Sequence, residues 1–169
     1  MEGPKRIWWA RPRKLCAMER PGGGGRSHRP VRRAADLAYL KDRGVRLIIS
    51  TMTTRHGLEE YEGEGFAWHH VPVTTCVDGG DALEELLGLI RRETRLRGAV
   101  ALHGNRHTDF VAAVAAAHLH LERGAEPEAA LARVRAAGLM VTPESAALLG
   151  VDYEAVQPRS DIAAATASG

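Results

Sequence analysis

The chain has 169 residues, 44% of them hydrophobic and 26% charged, with a net charge of +2. That is the size and polarity of one globular domain with its own core. Only two cysteines are present, Cys16 and Cys76, which excludes a disulfide framework and a paired Cys-x-x-Cys zinc site.

No run of about 18 apolar residues marks a membrane span and no charged-then-apolar leader marks secretion, so a cytoplasmic protein without membrane contacts is expected. The alanine, arginine and glycine bias is that of a GC-rich bacterial gene. Basic residues bunch between Lys5 and Arg33, with Arg6, Arg20, Arg29 and Arg32 among them. Such a cluster can meet nucleic acid or acidic lipid, but no aromatic-interleaved RNA motif or recognition helix accompanies it. It reads as a solvated arm, and nucleic acid is not expected as a partner.

"RPGGGGRSHRP" (20–30) reads as a flexible linker, because its glycines lack the strand-then-helix frame and the Lys-Ser/Thr ending of a nucleotide loop. A helix follows with Leu37 and Leu40 inward, stopped at Gly44, and then the strand "VRLIIS" (45–50). "LEEYEGEG" is a short polar helix and "FAWHHVPV" (66–73) a strand. In "DALEELLGLIRRETRLRG" the residues Leu83, Leu86, Leu87 and Ile90 share one helical face. After the strand "GAVAL" come a polar loop and an alanine-rich helix. "EPEAALARVRAAG" and "TPESAALLG" each open with proline in the first turn and close on glycine. From residue 151 onward the signals fade. Alternating strands and helices of these lengths predict an α/β fold, with a mostly parallel sheet covered by helices on both faces.

The polar loop carries the most chemistry. "HGNRHTD" (103–109) holds two imidazoles, a guanidinium, an amide, a hydroxyl and a carboxylate in seven residues. Set between a strand and a helix N-terminus, it has the shape of an anion cradle. Imidazole titrates near neutrality, and a carboxylate can fix its tautomer, so His107 with Asp109 forms a candidate acid–base pair. Arg106 is a candidate oxyanion holder, and Asn105 and Thr108 are candidate hydrogen-bond partners. The plainer readings are a solvated loop for His107, helix capping for Asp109 and a half-buried small hydrophobe for Cys76. His69, His70, His118 and His120 read as packing or surface residues. A metal held by His103, His107 and Cys76 is not favoured, since these residues flank a loop and do not share a helix face.

The segment order "WWARPRKLCAMERPG", "DLAYLKDRGVRLIIS", "HHVPV", strand, loop and helix, then "EAALARVRAAG…TPESAALL", resembles the dual-specificity branch of the cysteine-dependent tyrosine phosphatases. The resemblance covers residues 7–150 and implies that fold, with 1–6 a flexible N-terminus and 151–169 a disordered tail. The family signature is His-Cys, five residues, then Arg and Ser or Thr. Laid on this chain without gaps, its histidine falls on His103, its cysteine on Gly104, its arginine on Phe110 and its hydroxyl residue on Val111. The family's general acid falls near Thr75, with Asp78 three residues out of register. Glycine cannot attack phosphorus, and phenylalanine cannot replace a five-donor guanidinium, so cysteine-phosphatase chemistry is excluded.

The resemblance implies a buried loop-bracing role for His103. It also places Cys76 on the loop facing the site, as a second acid or nucleophile. The expected ligand contacts are His103, Gly104, Asn105, Thr108, Phe110 and Thr75, with Phe110 lending an apolar mouth suited to a small organic molecule. The first expectation for function is acid–base chemistry on a small metabolite in biosynthesis (isomerisation, elimination or cyclisation) through His107, Asp109, Arg106 and Cys76, with no cofactor implied. The alternatives are an inactive pseudophosphatase binding a phosphorylated ligand or a protein partner, and an atypical phosphatase using histidine or a metal.

Overall fold

The computed structural model describes residues 3–24 and 29–157. Among these described residues, five strands form one sheet in the order β1-β2-β5-β3-β4. They are β1 (Ile7–Arg11), β2 (Leu15–Glu19), β3 (Val45–Ser50), β4 (Ala67–His70) and β5 (Ala99–Gly104). Only the β1–β2 hairpin is antiparallel; β2, β5, β3 and β4 all run the same way.

Strand alternation sorts the core into two layers. Leu15, Ala17, Leu47, Ile49, Val100 and Leu102 face α3 (Gly80–Arg95), α4 (Asp109–Arg123), α5 (Pro127–Ala136) and α6 (Pro143–Leu148). Cys16, Met18, Ile48, Ala99 and Ala101 face the other way, towards α1 (Pro30–Asp42) and α2 (Leu58–Gly63). The expected α/β sheet with helices on both faces is what the chain forms. The alanines of α4 explain its depth in the core: every residue from Asp109 to Leu119 is buried, because small side chains let the helix sit close to its neighbours.

Three boundaries differ from expectation. The basic N-terminal stretch is no solvated arm: its apolar residues Ile7, Trp8, Leu15 and Cys16 form the edge hairpin, and Arg33 at its end is buried beside Glu60. The glycine-rich segment begins as built structure: Pro21, Gly22 and Gly23 are buried, and the Gly22 N–H donates to Asp36 Oδ2 at 2.8 Å. Residues 25–28 of that segment lie outside the described residues. Residues 151–157, assigned from sequence to a disordered tail, pack through Val151 and Val156, and Arg135 donates to the Val156 carbonyl at 2.9 Å. The rest of the tail, 158–169, lies outside the described residues.

Candidate binding site at the strand ends

Four parallel strands deliver their C-terminal ends to one edge, where ligands of open α/β sheets collect. A cavity of about 340 Å³ opens there. Its walls are Arg20 after β2, residues 51–54 after β3, Thr74 after β4, and Gly104, Asn105 and Thr108 after β5. Five of these side chains are threonines (Thr51, Thr53, Thr54, Thr74 and Thr108) and one is a guanidinium, so the mouth is rich in hydrogen-bond donors. Gly104, Asn105 and Thr108 are thus brought together as expected. Thr75 is exposed and its neighbour Thr74 lines the cavity instead.

Below the mouth, His103 is fully enclosed. Its Nδ1–H donates to the Gly104 carbonyl at 3.0 Å, and its Nε2 accepts from the Tyr61 hydroxyl at 2.9 Å. The two rings meet edge to face, with centroids 5.8 Å apart. Burial holds the imidazole down to about 4, with the nearby Arg20 and His70 opposing protonation further, so it is neutral at pH 7. The backbone N–H and the hydroxyl of Thr51 both donate to the His103 carbonyl, at 2.9 and 3.0 Å. His103 is therefore the brace that the resemblance implied, and it does not reach the cavity as a ligand contact.

The two positions that would carry phosphatase chemistry are closed. An ideal Cβ at Gly104 would lie 2.9 Å from the Arg106 carbonyl oxygen and 3.0 Å from the Thr108 methyl, so the loop backbone roofs the place of a nucleophile. Phe110 was expected at the mouth, but it has no exposed surface and its ring packs directly on Gly79, where an added Cβ would lie 2.8 Å from it. A phenyl ring leaves the loop for the core because burying it is worth about 1.5–3 kcal/mol. Val111 is buried in the same helix turn.

The acid–base pair is not formed. Thr108 caps α4 by accepting from the Val111 N–H at 3.1 Å, which aims the next residue, Asp109, inward. There Asp109 accepts from Thr142 Oγ1 at 2.9 Å, and Thr142 in turn opens α6 through a reciprocal cap with Ser145. The carboxylate also faces Cys76. Burial pushes the Cys76 thiol up, and the charge and hydrogen bond of Asp109 push it further, so the sulfur stays protonated and is neither an acid near neutrality nor a thiolate nucleophile.

His107 turns to a different surface, a cavity of about 260 Å³ shared with Lys5, Arg6, Ile7, Trp8, Ala137 and Gly138. Its Nδ1 is buried without a hydrogen-bond partner, and burial holds its pKa below the usual histidine range. Arg106 is exposed and joins a third cavity with Lys5, Arg29 and Arg32. His103, His107 and Cys76 thus face three separate surroundings, and among the described residues no group of three metal-ligating side chains converges.

Sequence reasoning missed Arg20. It was counted with the basic arm, yet it follows Glu19, which pairs with Gly104 across the parallel β2–β5 ladder. That register carries its guanidinium to the loop, where its charge is felt at both His103 and Tyr61. Of the remaining histidines, His70 Nε2 donates to the Met52 carbonyl at 2.7 Å, His69 meets Glu85 at 2.7 Å, His118 is buried beside Arg11 and His120 Nδ1 donates to the Ala125 carbonyl at 2.8 Å.

No family profile and no curated protein matches this sequence. Solved structures do match. Tk-PTP in its active form aligns with a TM-score of 0.67 at 19% identity, over 86% of this chain and 95% of that one. Human DUSP28 gives 0.65 at 21%, over 87% and 92%. The human tyrosine phosphatase-like serine/threonine/tyrosine-interacting protein gives 0.64 at 16%, over 90% and 97%. The fold is therefore that of the dual-specificity phosphatases.

Proposed function

We propose that this phosphatase fold works as a binding protein, holding a phosphorylated ligand at the ends of its parallel strands without hydrolysing it. The observation that carries the reading is the state of the loop: Gly104 lies under the Arg106 carbonyl, and the groups able to move protons face elsewhere. What the mouth retains is recognition. Arg20 replaces, from β2, the guanidinium lost at Phe110, and the threonine hydroxyls and Asn105 suit phosphoryl oxygens. One structural neighbour is itself named as a phosphatase-like interacting protein. The small-metabolite acid–base enzyme loses its main support, because His107 and Asp109 do not meet. Cys16 and Cys76, both unpaired and buried, fit a reducing cytoplasm.

The test is calorimetric titration with inorganic phosphate, run beside an assay of para-nitrophenyl phosphate. The reading expects saturable binding that is lost in Arg20→Gln, with no phosphate release. Phosphate release that is pH-dependent and abolished by His107→Ala would overturn it in favour of an atypical phosphatase using histidine.

A further inference from the structure

A dense group of cations lies outside the strand-end cavity. A basin of about 400 Å³ is lined by Lys5, Arg6, Arg29, Arg32 and Arg106, with Glu19 as its one carboxylate and Gly24 on its floor. It shares no residue with the cavity around Arg20. Glu19 answers Arg6 at 3.0 Å, and Asp36 lies 4.0 Å from Arg32. Among the described residues, Lys5, Arg29 and Arg106 have no ion-pair partner. These cations come from three separate parts of the chain: the lead into β1, the start of α1 and the loop after β5. Holding like charges together destabilises the free protein, so their convergence on one concavity calls for an anion.

The charge count sets the kind of anion. Three cations without ion pairs, with Arg32 and Arg6 only partly balanced, exceed the two negative charges of a single phosphate ester and match a chain of linked phosphates. We propose that this basin is a second, independent site that binds a soluble polyphosphate group carrying three or more negative charges. Guanidinium groups from different segments grip neighbouring phosphoryl oxygens, each in a two-pronged manner, while Lys5 acts as a point charge. The adjoining cavity shares Lys5 and Arg6 with the basin and adds Trp8 and His107. A nucleoside polyphosphate would set its base there, whereas an inorganic polyphosphate would leave it open; the linked phosphates are common to both.

Inorganic tripolyphosphate, titrated calorimetrically into the full chain, is the direct test. The expected result is binding at least tenfold tighter than orthophosphate, weakening as salt rises, and reduced at least tenfold in Arg106→Gln with Arg29→Gln. Both substitutions fall on exposed side chains, and circular dichroism melting verifies that the variant folds. Tripolyphosphate failing to bind while orthophosphate still binds would overturn this site alone, and the reverse would overturn the strand-end site alone. Adenosine triphosphate binding more tightly than tripolyphosphate, with the excess removed by Trp8→Ala, would assign a nucleotide; equal affinities would assign an inorganic or other polyphosphate. Equal tripolyphosphate binding by wild type and the double variant would overturn the proposal. So would no binding at all, or tighter binding of a ten-residue single-stranded oligothymidine.

Discussion

The two sides of the loop after β5 have gone opposite ways. On its inner side each reactive group is tied to a neighbour: His103 to Tyr61, Asp109 to Thr142 and Cys76, Phe110 to Gly79. On its outer side Arg106 meets other cations with no carboxylate of its own. The inner side has become core, where packing and hydrogen bonding fix each atom, and the outer side keeps a charge that only a ligand can satisfy. The difference teaches that density of ionisable residues in a loop says little about chemistry until the direction of each side chain is known.

The comparison breaks most visibly at Phe110. Phe110→Ala should cost about 3–5 kcal/mol of stability by denaturant unfolding, as a large buried side chain does. A loss below about 1 kcal/mol would put the ring back at the mouth. Acid should act on a comparable scale, through two buried imidazoles. The imidazoles of His103 and His118 are both held down to about 4, against about 6.5 in an unfolded chain. Below pH 6.5 the unfolded chain takes up protons that the folded one refuses. Stability is therefore complete above that pH and falls until about pH 4, by on the order of 3 kcal/mol per histidine. Ring titration by NMR checks this directly: His103 half-protonated near pH 6.5 would contradict its enclosure.

Asp109→Ala should cost about 1.5–3 kcal/mol, the usual worth of a hydrogen bond to a charged group, through loss of the tie between α4 and α6. Unchanged thermal stability would mean that the carboxylate is not part of the inner framework. The smallest effect is expected at Gly104→Ala, where a Cβ pushed against the Arg106 carbonyl should destabilise by about 1–3 kcal/mol as the loop shifts to make room. A neutral result would show that the roof over this position yields easily.

Much of the fold was legible in the sequence because it rests on local patterns. The alternation in "VRLIIS", the apolar face of "DALEELLGLI" and the proline and glycine at helix ends each state their element without help from distant residues. The site was legible only in part. Gly104, Asn105 and Thr108 could be placed because they follow a recognisable strand and precede a recognisable helix. Arg20 could not, since its nearness to the loop depends on β2 pairing with a strand some eighty positions away. His107 and Asp109, two residues apart, looked like partners, but the Thr108 cap between them turns one inward and leaves the other facing the β1 side. The basic N-terminus misled for a related reason: its charges dominate composition, while its apolar residues decide its structure.

The account's central claim is recognition without hydrolysis, and phosphorus-31 NMR of para-nitrophenyl phosphate with the wild-type protein tests both halves in one sample. The account predicts that the ester resonance broadens or shifts on adding protein, recovers in Arg20→Gln, and gives no growing inorganic phosphate signal. An inorganic phosphate resonance that grows with time in proportion to the protein would contradict it.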